Sequence, residues 1–331
     1  MPTQPTLRNS GIFFALTGAV SIMVALILGS DGLRPDLIPA LVGDDLTTSD
    51  ETIVYALRLP RALTAFAVGG LLALCGVLMQ VLLRNPLADP YILGTSGGAA
   101  SAALAAMLFG FSGAMIDIAA FTGASVATLI VFGVGGLRSQ FSPPILLLTG
   151  VVIATGFGAV VSFMLAVSDD ATLRGMLFWL MGDFSLALNP TPALWVLGLA
   201  TLVAVVAAPH LNILAESEQR ARLLGLRVVP MRIGVLLLAS FLCAFAVTQA
   251  GAIGFVGLVV PHMIRRFTGF DHRRLIPSAV FAGGALLCLA DAFSRTVLAP
   301  RQLPVGTLTA AIGVPLFLYL LGRRYTQRAS S

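Results

Sequence analysis

The chain is 331 residues long, with 57% hydrophobic and only 11% charged residues, and its mean hydropathy is +0.96. Soluble domains carry roughly 25% charged residues, so this composition excludes a free-standing soluble enzyme. At about 20 apolar residues per bilayer crossing the length allows about ten spans and no sizeable soluble domain. The net charge of +5 comes from 20 basic residues that are all arginine, set singly or in pairs between apolar runs. That spacing is a topology signal and not a phosphate-tracking surface, so no nucleic-acid partner is expected.

Taken in chain order, the apolar runs fall at 11–29, 62–83, 91–110, 115–137, 144–167, 191–208, 232–250, 252–264, 275–294 and 304–322. The first run follows Arg8 and resembles a signal sequence in outline. It exceeds the usual stretch of about 7–15 residues and no small-x-small site follows, which favours a retained span. Glycine pairs Gly69–Gly70 and Gly283–Gly284, with Gly76, suit close helix contact in a membrane. The fragments AVGGLLALC (67–75) and FAGGALLCL (281–289) echo one another weakly, compatible with a duplicated half-structure.

Arg232 to Ile264 is almost continuously apolar and as one helix would run about 50 Å, against a bilayer core of about 30 Å. Arginine clusters flank it on both sides, Arg220 to Arg232 before and Arg265 to Arg274 after. Both flanks should therefore be cytoplasmic, and the stretch must reverse, with Gly251, Gly254, Gly257 and Pro261 permitting the break. Irregular backbone at membrane depth is tolerated where it is buried in protein or lines a water-filled path. Ten spans with both termini cytoplasmic place Arg8, Arg84, Arg138, Arg220, Arg222, Arg227, Arg232, Arg265, Arg266, Arg273, Arg274, Arg323, Arg324 and Arg328 inside. Arg34, Arg58, Arg61, Arg174, Arg295 and Arg301 fall outside, beside Asp31, Asp36, Asp44, Asp45, Asp50 and Glu51. The positive-inside rule is satisfied.

No catalytic pattern stands out. His210, His262 and His272 all fall at expected cytoplasmic helix ends; there is no HExxH, no phosphate-binding glycine loop with its lysine, and no metal-ligand spacing. Cys75, Cys243 and Cys288 each lie inside an apolar run and read as small buried hydrophobes. Asp291 lies within the run 287–293, where an ionisable group is costly and usually functional. It either serves proton coupling in a secondary transporter or pairs with Arg295 at i+4. The segment 209–229 is amphipathic, with Leu214, Ala221, Leu224 and Leu226 among Glu216, Glu218, Arg220 and Arg222. It either docks a partner or lies along the membrane interface.

Four stretches carry a resemblance: LRLPRALTAFAVGG (57–70), GVLMQVLLRNPLADPYILGTSGGAA (76–100), AGAIGFVGLVVPHMIRRFTGFDHRRLIP (250–277) and LPVGTLTAAIGVPLFLYLL (303–321). The chain resembles the FecCD-type permeases of ABC importers for ferric siderophores, haem and vitamin B12 over residues 10–322. The resemblance implies an all-α integral membrane protein of type II ABC importer permease architecture, a single permease domain over residues 1–331, in the bacterial inner membrane. It further implies a homodimer served by two ATPase subunits below and a periplasmic substrate-binding protein above. ATP and magnesium would be bound by the ATPases and no cofactor by this chain. Among the family's motif positions, Glu216, Ala221, Leu224 and Gly225 would couple to the ATPase. Arg58, Arg61 and Arg295 would face the binding protein, while Asn85, Pro86, Pro261 and His262 would hold cytoplasmic turns. Ferric siderophore is the leading cargo, with cobalamin and haem beside it.

Overall fold

A computed structural model describes residues 10–29, 32–34, 48–136, 142–185, 187 and 189–329, with side chains described up to residue 318. Arg8, Arg138, Asp31, Asp36, Asp44 and Asp45 lie outside the described residues, as do the side chains of Arg323, Arg324 and Arg328. The helices are α1 (Ser10–Ile27), α2 (Leu59–Leu82), α3 (Thr95–Leu108), α4 (Ala114–Val131), α5 (Pro143–Val167), α6 (Asp170–Met181), α7 (Thr191–Val206), α8 (Ala208–Ala215), α9 (Glu218–Leu223), α10 (Val228–Ala250), α11 (Val256–Thr268), α12 (His272–Thr296) and α13 (Val305–Ala329). The only strand pairing among the described residues is Leu28–Gly29 with Gly32–Leu33. Among those residues five helices are long and apolar enough to cross a membrane, six if α7 and α8 count as one bent span, while α1, α3 and α13 supply shorter apolar helices.

The bundle is built around α2. A wider π-helical stretch, Thr52–Arg58, runs straight into it, and 94% of its apolar window is buried within the protein. A helix apolar on every side can face either protein or lipid; this one faces protein, with α12, α10 and α11 packed around it. Glycine makes the approach possible. A Cβ on Gly69 would overlap the carbonyl of Gly283, and one on Gly283 would lie 2.5 Å from the Ala73 Cβ. The two segments that echo one another in sequence are thus the two that pack together.

Gly76 meets α11 through the same device, since a Cβ there would overlap the Gly257 carbonyl. Pro261 explains why that carbonyl is available. Proline has no N–H, so the helical bond from residue 261 to the carbonyl of 257 is never made. Pro261 and His262 therefore do not hold a turn as expected. They sit buried inside α11, where the proline frees a carbonyl for a close contact with α2.

The chain reverses between α10 and α11. Gly251 takes φ +70 and Phe255 φ +69, and α11 rises only about 20 Å, short of a bilayer core. Residues 251–255 therefore lie at membrane depth. Tyr91 satisfies their backbone: its hydroxyl donates to the Ile253 carbonyl at 3.0 Å and accepts from the Ile253 N–H at 3.1 Å. The expected inner end is built from contacts between distant segments. Arg232 of α10 pairs with Glu218 of α9 at 3.0 Å, and Asn212 of α8 donates to Asp271 at 2.9 Å. Arg84 Nε reaches the Leu214 carbonyl at 3.4 Å.

Candidate functional site

Two sites lie at opposite ends of the bundle. The one at the end expected to face outward, called the outer site, gathers the C-terminal end of α1, the start of α2, the segment after α6, the end of α12 and the approach to α13. Together they line a recess of about 470 Å³ with Gly29, Ile53, Leu57, Phe184, Ser185, Ala187 and Gln302 around Arg58, Arg61 and Arg295.

The three arginines differ from the exposed side chains expected of a docking surface. They are 5%, 9% and 6% exposed, because the recess is organised around a carboxylate that cannot be left alone. Asp291 is 0% exposed, and an isolated buried charge is expensive. Arg61 Nε lies 3.0 Å from both carboxylate oxygens of Asp291 and its Nη2 donates to Oδ1 at 2.8 Å. Its Nη1 donates to Gln302 Oε1 at 3.0 Å, and Asp183 stands 3.8 Å from Nη2. Arg295, one turn beyond Asp291, pairs with Oδ2 at 3.3 Å and donates from Nη2 to the Ala25 carbonyl at 3.3 Å. Arg58 donates to the neighbouring Leu26 carbonyl at 2.8 Å. The i+4 pairing of Asp291 with Arg295 is present, and Arg61 is the partner that sequence spacing missed. Two guanidiniums clamp the carboxylate as a fixed counter-ion joining α2 to α12, which leaves no support for a proton carrier.

The inner site is the link between α7 and α10. It is two short helices, because Ser217 starts a new one: its Oγ accepts from the Arg220 N–H at 3.3 Å. Ala221 is buried. Gly225, at φ +78, terminates α9: its N–H bonds the Arg222 carbonyl and that of Leu226 the Ala221 carbonyl, both at 3.0 Å. This is a left-handed glycine cap. Glu216 pairs with Arg220 at 3.1 Å in solvent. Leu223 and Leu224 stand 88% and 65% exposed, beside an apolar groove of about 820 Å³ between α7–α8 and α10 that Leu224 and Gly225 help to line.

Asn85 and Pro86 follow α2 at the same end. Arg84 takes φ +48, Asn85 N–H bonds the Gln80 carbonyl at 3.2 Å, and Asn85 Oδ1 accepts from Leu87 N–H at 3.0 Å. All three cysteines are free and buried, and among the described residues no group of three or more His, Cys, Asp or Glu could hold a metal ion.

A helical bundle with a charged recess at one end, an exposed apolar-and-charged link at the other and irregular backbone between them has the construction of a transporter's membrane subunit. The family comparison makes that specific: residues 16–323 match the FecCD transport family, and the chain belongs to it. It is 41% identical over 278 residues to the cobalamin import system permease protein of Halobacterium salinarum, covering 83% of this chain and 74% of that one. It is 35% identical over 306 residues to the vitamin B12 import system permease protein of Salmonella paratyphi A, covering 91% of each. A solved structure described as an inward-facing conformation of an ABC transporter assigned to the metal-chelate type superposes with a TM-score of 0.84 at 32% identity, over 95% of this chain and 98% of that one. The chain is thus a multi-pass ABC importer permease of the metal-chelate and vitamin B12 type.

Proposed function

We propose that this chain, as a homodimer, forms the membrane path of an importer that carries a metal chelate from periplasm to cytoplasm, energised by two separate ATPase subunits. The observation that carries the reading is the separation of the two sites. One end offers a cationic recess suited to acidic side chains of a substrate-binding protein. The other offers a stiffly capped link with exposed leucines, suited to a groove on an ATPase. The ten-span topology with both termini cytoplasmic fits that polarity.

A dimer is supported by α5. It is 25 residues long and strongly apolar, yet only 11% of its apolar window is buried. It also turns the self-bonded hydroxyls of Thr155 and Ser162 outward. A second copy placed against it would complete a path lined with small and weakly polar groups.

Cobalamin is the first cargo to test, because two of the relatives are named for it; ferric siderophore and haem complete the set. The experiment is uptake into proteoliposomes holding the permease, its ATPase and its binding protein, with cyanocobalamin, a ferric siderophore and haemin offered separately. ATP-dependent accumulation of one of them supports the reading. Accumulation driven by a pH gradient with the permease alone would overturn it.

A further inference from the structure

The outer recess holds more than a place to dock. Arg58, Arg61 and Arg295 line it, and Asp291 lies behind them, out of solvent and away from the lining. Three guanidiniums thus stand between one buried carboxylate and an open cavity. Asp183, at the rim, is the only other carboxylate within ion-pairing distance of Arg61 among the described residues. Among the described residues, Asp291 and Asp183 stand against three arginines.

Arg61 has a fixed set of donors and has committed most of them. Nε and Nη2 serve Asp291 and Nη1 serves Gln302. Arg295 is less committed: Nε serves Asp291 and Nη2 the Ala25 carbonyl, and Nη1 makes no bond to the described residues. An entering carboxylate can take Arg295 Nη1 at once. To gain Arg61 in the bidentate geometry that gives such pairs their strength, it must compete with Asp291.

We propose that Asp291 is a resident stand-in for a partner's carboxylate. An acidic side chain entering the recess competes with it for Arg61, so that docking weakens the ion pair joining α2 to α12 at the outer mouth. This rests on the docking reading above, acidic side chains of the partner included, and adds to it the bond that docking loosens. Coupling is reciprocal: if docking weakens the Arg61–Asp291 pair, weakening that pair strengthens docking by the same factor. A carboxylate that is only structural predicts no such gain.

The test measures affinity between the binding protein and the permease–ATPase complex in nanodiscs, at low and moderate salt, with thermal unfolding followed in parallel. Arg58→Gln leaves both pairs of Asp291 in place and removes one cation from the lining together with its bond to the Leu26 carbonyl, so binding is compared at equal folded fraction; it should weaken. Asp291→Asn should lower the unfolding temperature yet tighten binding by about tenfold at low salt, within the usual range of coupling between sites. Should Asp291→Asn fail to assemble, Asp291→Glu decides, since it keeps the charge and moves the carboxylate out of register with Arg61; a tightening of about threefold is expected. If Arg58→Gln leaves binding unchanged, the docking reading fails and this inference with it. If Arg58→Gln weakens binding while the deciding aspartate variant leaves it unchanged or weaker, docking stands and the competition is overturned.

Discussion

The outer recess and the inner link use arginine–carboxylate pairs to opposite ends. At the recess arginine and aspartate are buried and their pairing joins helices 230 positions apart in the chain. At the link, Arg220 with Glu216 and Arg222 with Glu218 are exposed i,i+4 pairs on one short helix. Burial decides what a pair does: the first cannot be broken without stranding a charge, and the second can be broken at little cost because water takes over. The outer recess is therefore held by its charges, while the link's own i,i+4 pairs add little to its backbone caps and its buried anchor is Arg232 against Glu218.

The largest test of that contrast is Asp291→Ala. It leaves Arg61 and Arg295 buried without their counter-ion, and should destabilise the protein by about 3–5 kcal/mol, read from thermal unfolding of the purified protein. An effect within about 0.5 kcal/mol would show that the recess relaxes and hydrates freely. Next comes Gly76→Val, which drives a side chain into the Gly257 carbonyl. About 1–3 kcal/mol is expected, or failure to assemble, with the yield of folded protein as the measure.

At the inner end, Glu216→Gln should change stability by less than about 0.5 kcal/mol while lowering ATP-dependent uptake. Equal losses of stability and uptake would make Glu216 structural. The smallest effect concerns Asp271, whose carboxyl is held below its ordinary range first by the Asn212 side chain and then by the Arg273 N–H. A depressed folded value gives stability that is present above the unfolded value of about 3.9 and lost as pH falls through the folded one. Asn212→Ala removes the main cause. The gap in unfolding temperature between wild type and variant should thus narrow on acidification below about pH 4, leaving the part due to the Asn212–His272 contacts, and stay constant above about pH 5.

Much of the fold was legible because membranes punish errors of pattern. The reversal between α10 and α11 followed from arginine clusters on both sides of a run too long for one span, and the structure puts it at Gly251–Phe255. The run boundaries were less secure: α10 starts at Val228, so that Arg232 lies buried within it against Glu218. Helix α6 went unseen because Asp169, Asp170 and Arg174 interrupt its hydropathy. The Asp291–Arg295 pair was visible as an i+4 spacing, whereas Arg61 could be placed beside it only by folding. Motif positions identified Arg58, Arg61 and Arg295 as a set, but whether an arginine stands on a surface or floors a recess depends on neighbours that no local pattern names. Pro261 misled for a related reason, since missing N–H groups end helices in solvent but serve as packing devices in a crowded bundle.

Tyr91 carries one consequence further. Its hydroxyl alone answers both backbone groups of Ile253 in the unwound stretch that crosses part of the membrane's thickness. Backbone groups left without a partner at that depth would each cost several kcal/mol, about as much as a buried ion pair. The phenol is therefore a rivet: one oxygen fastens the break in the chain to a segment 162 positions away, so that the reversal is held from outside itself.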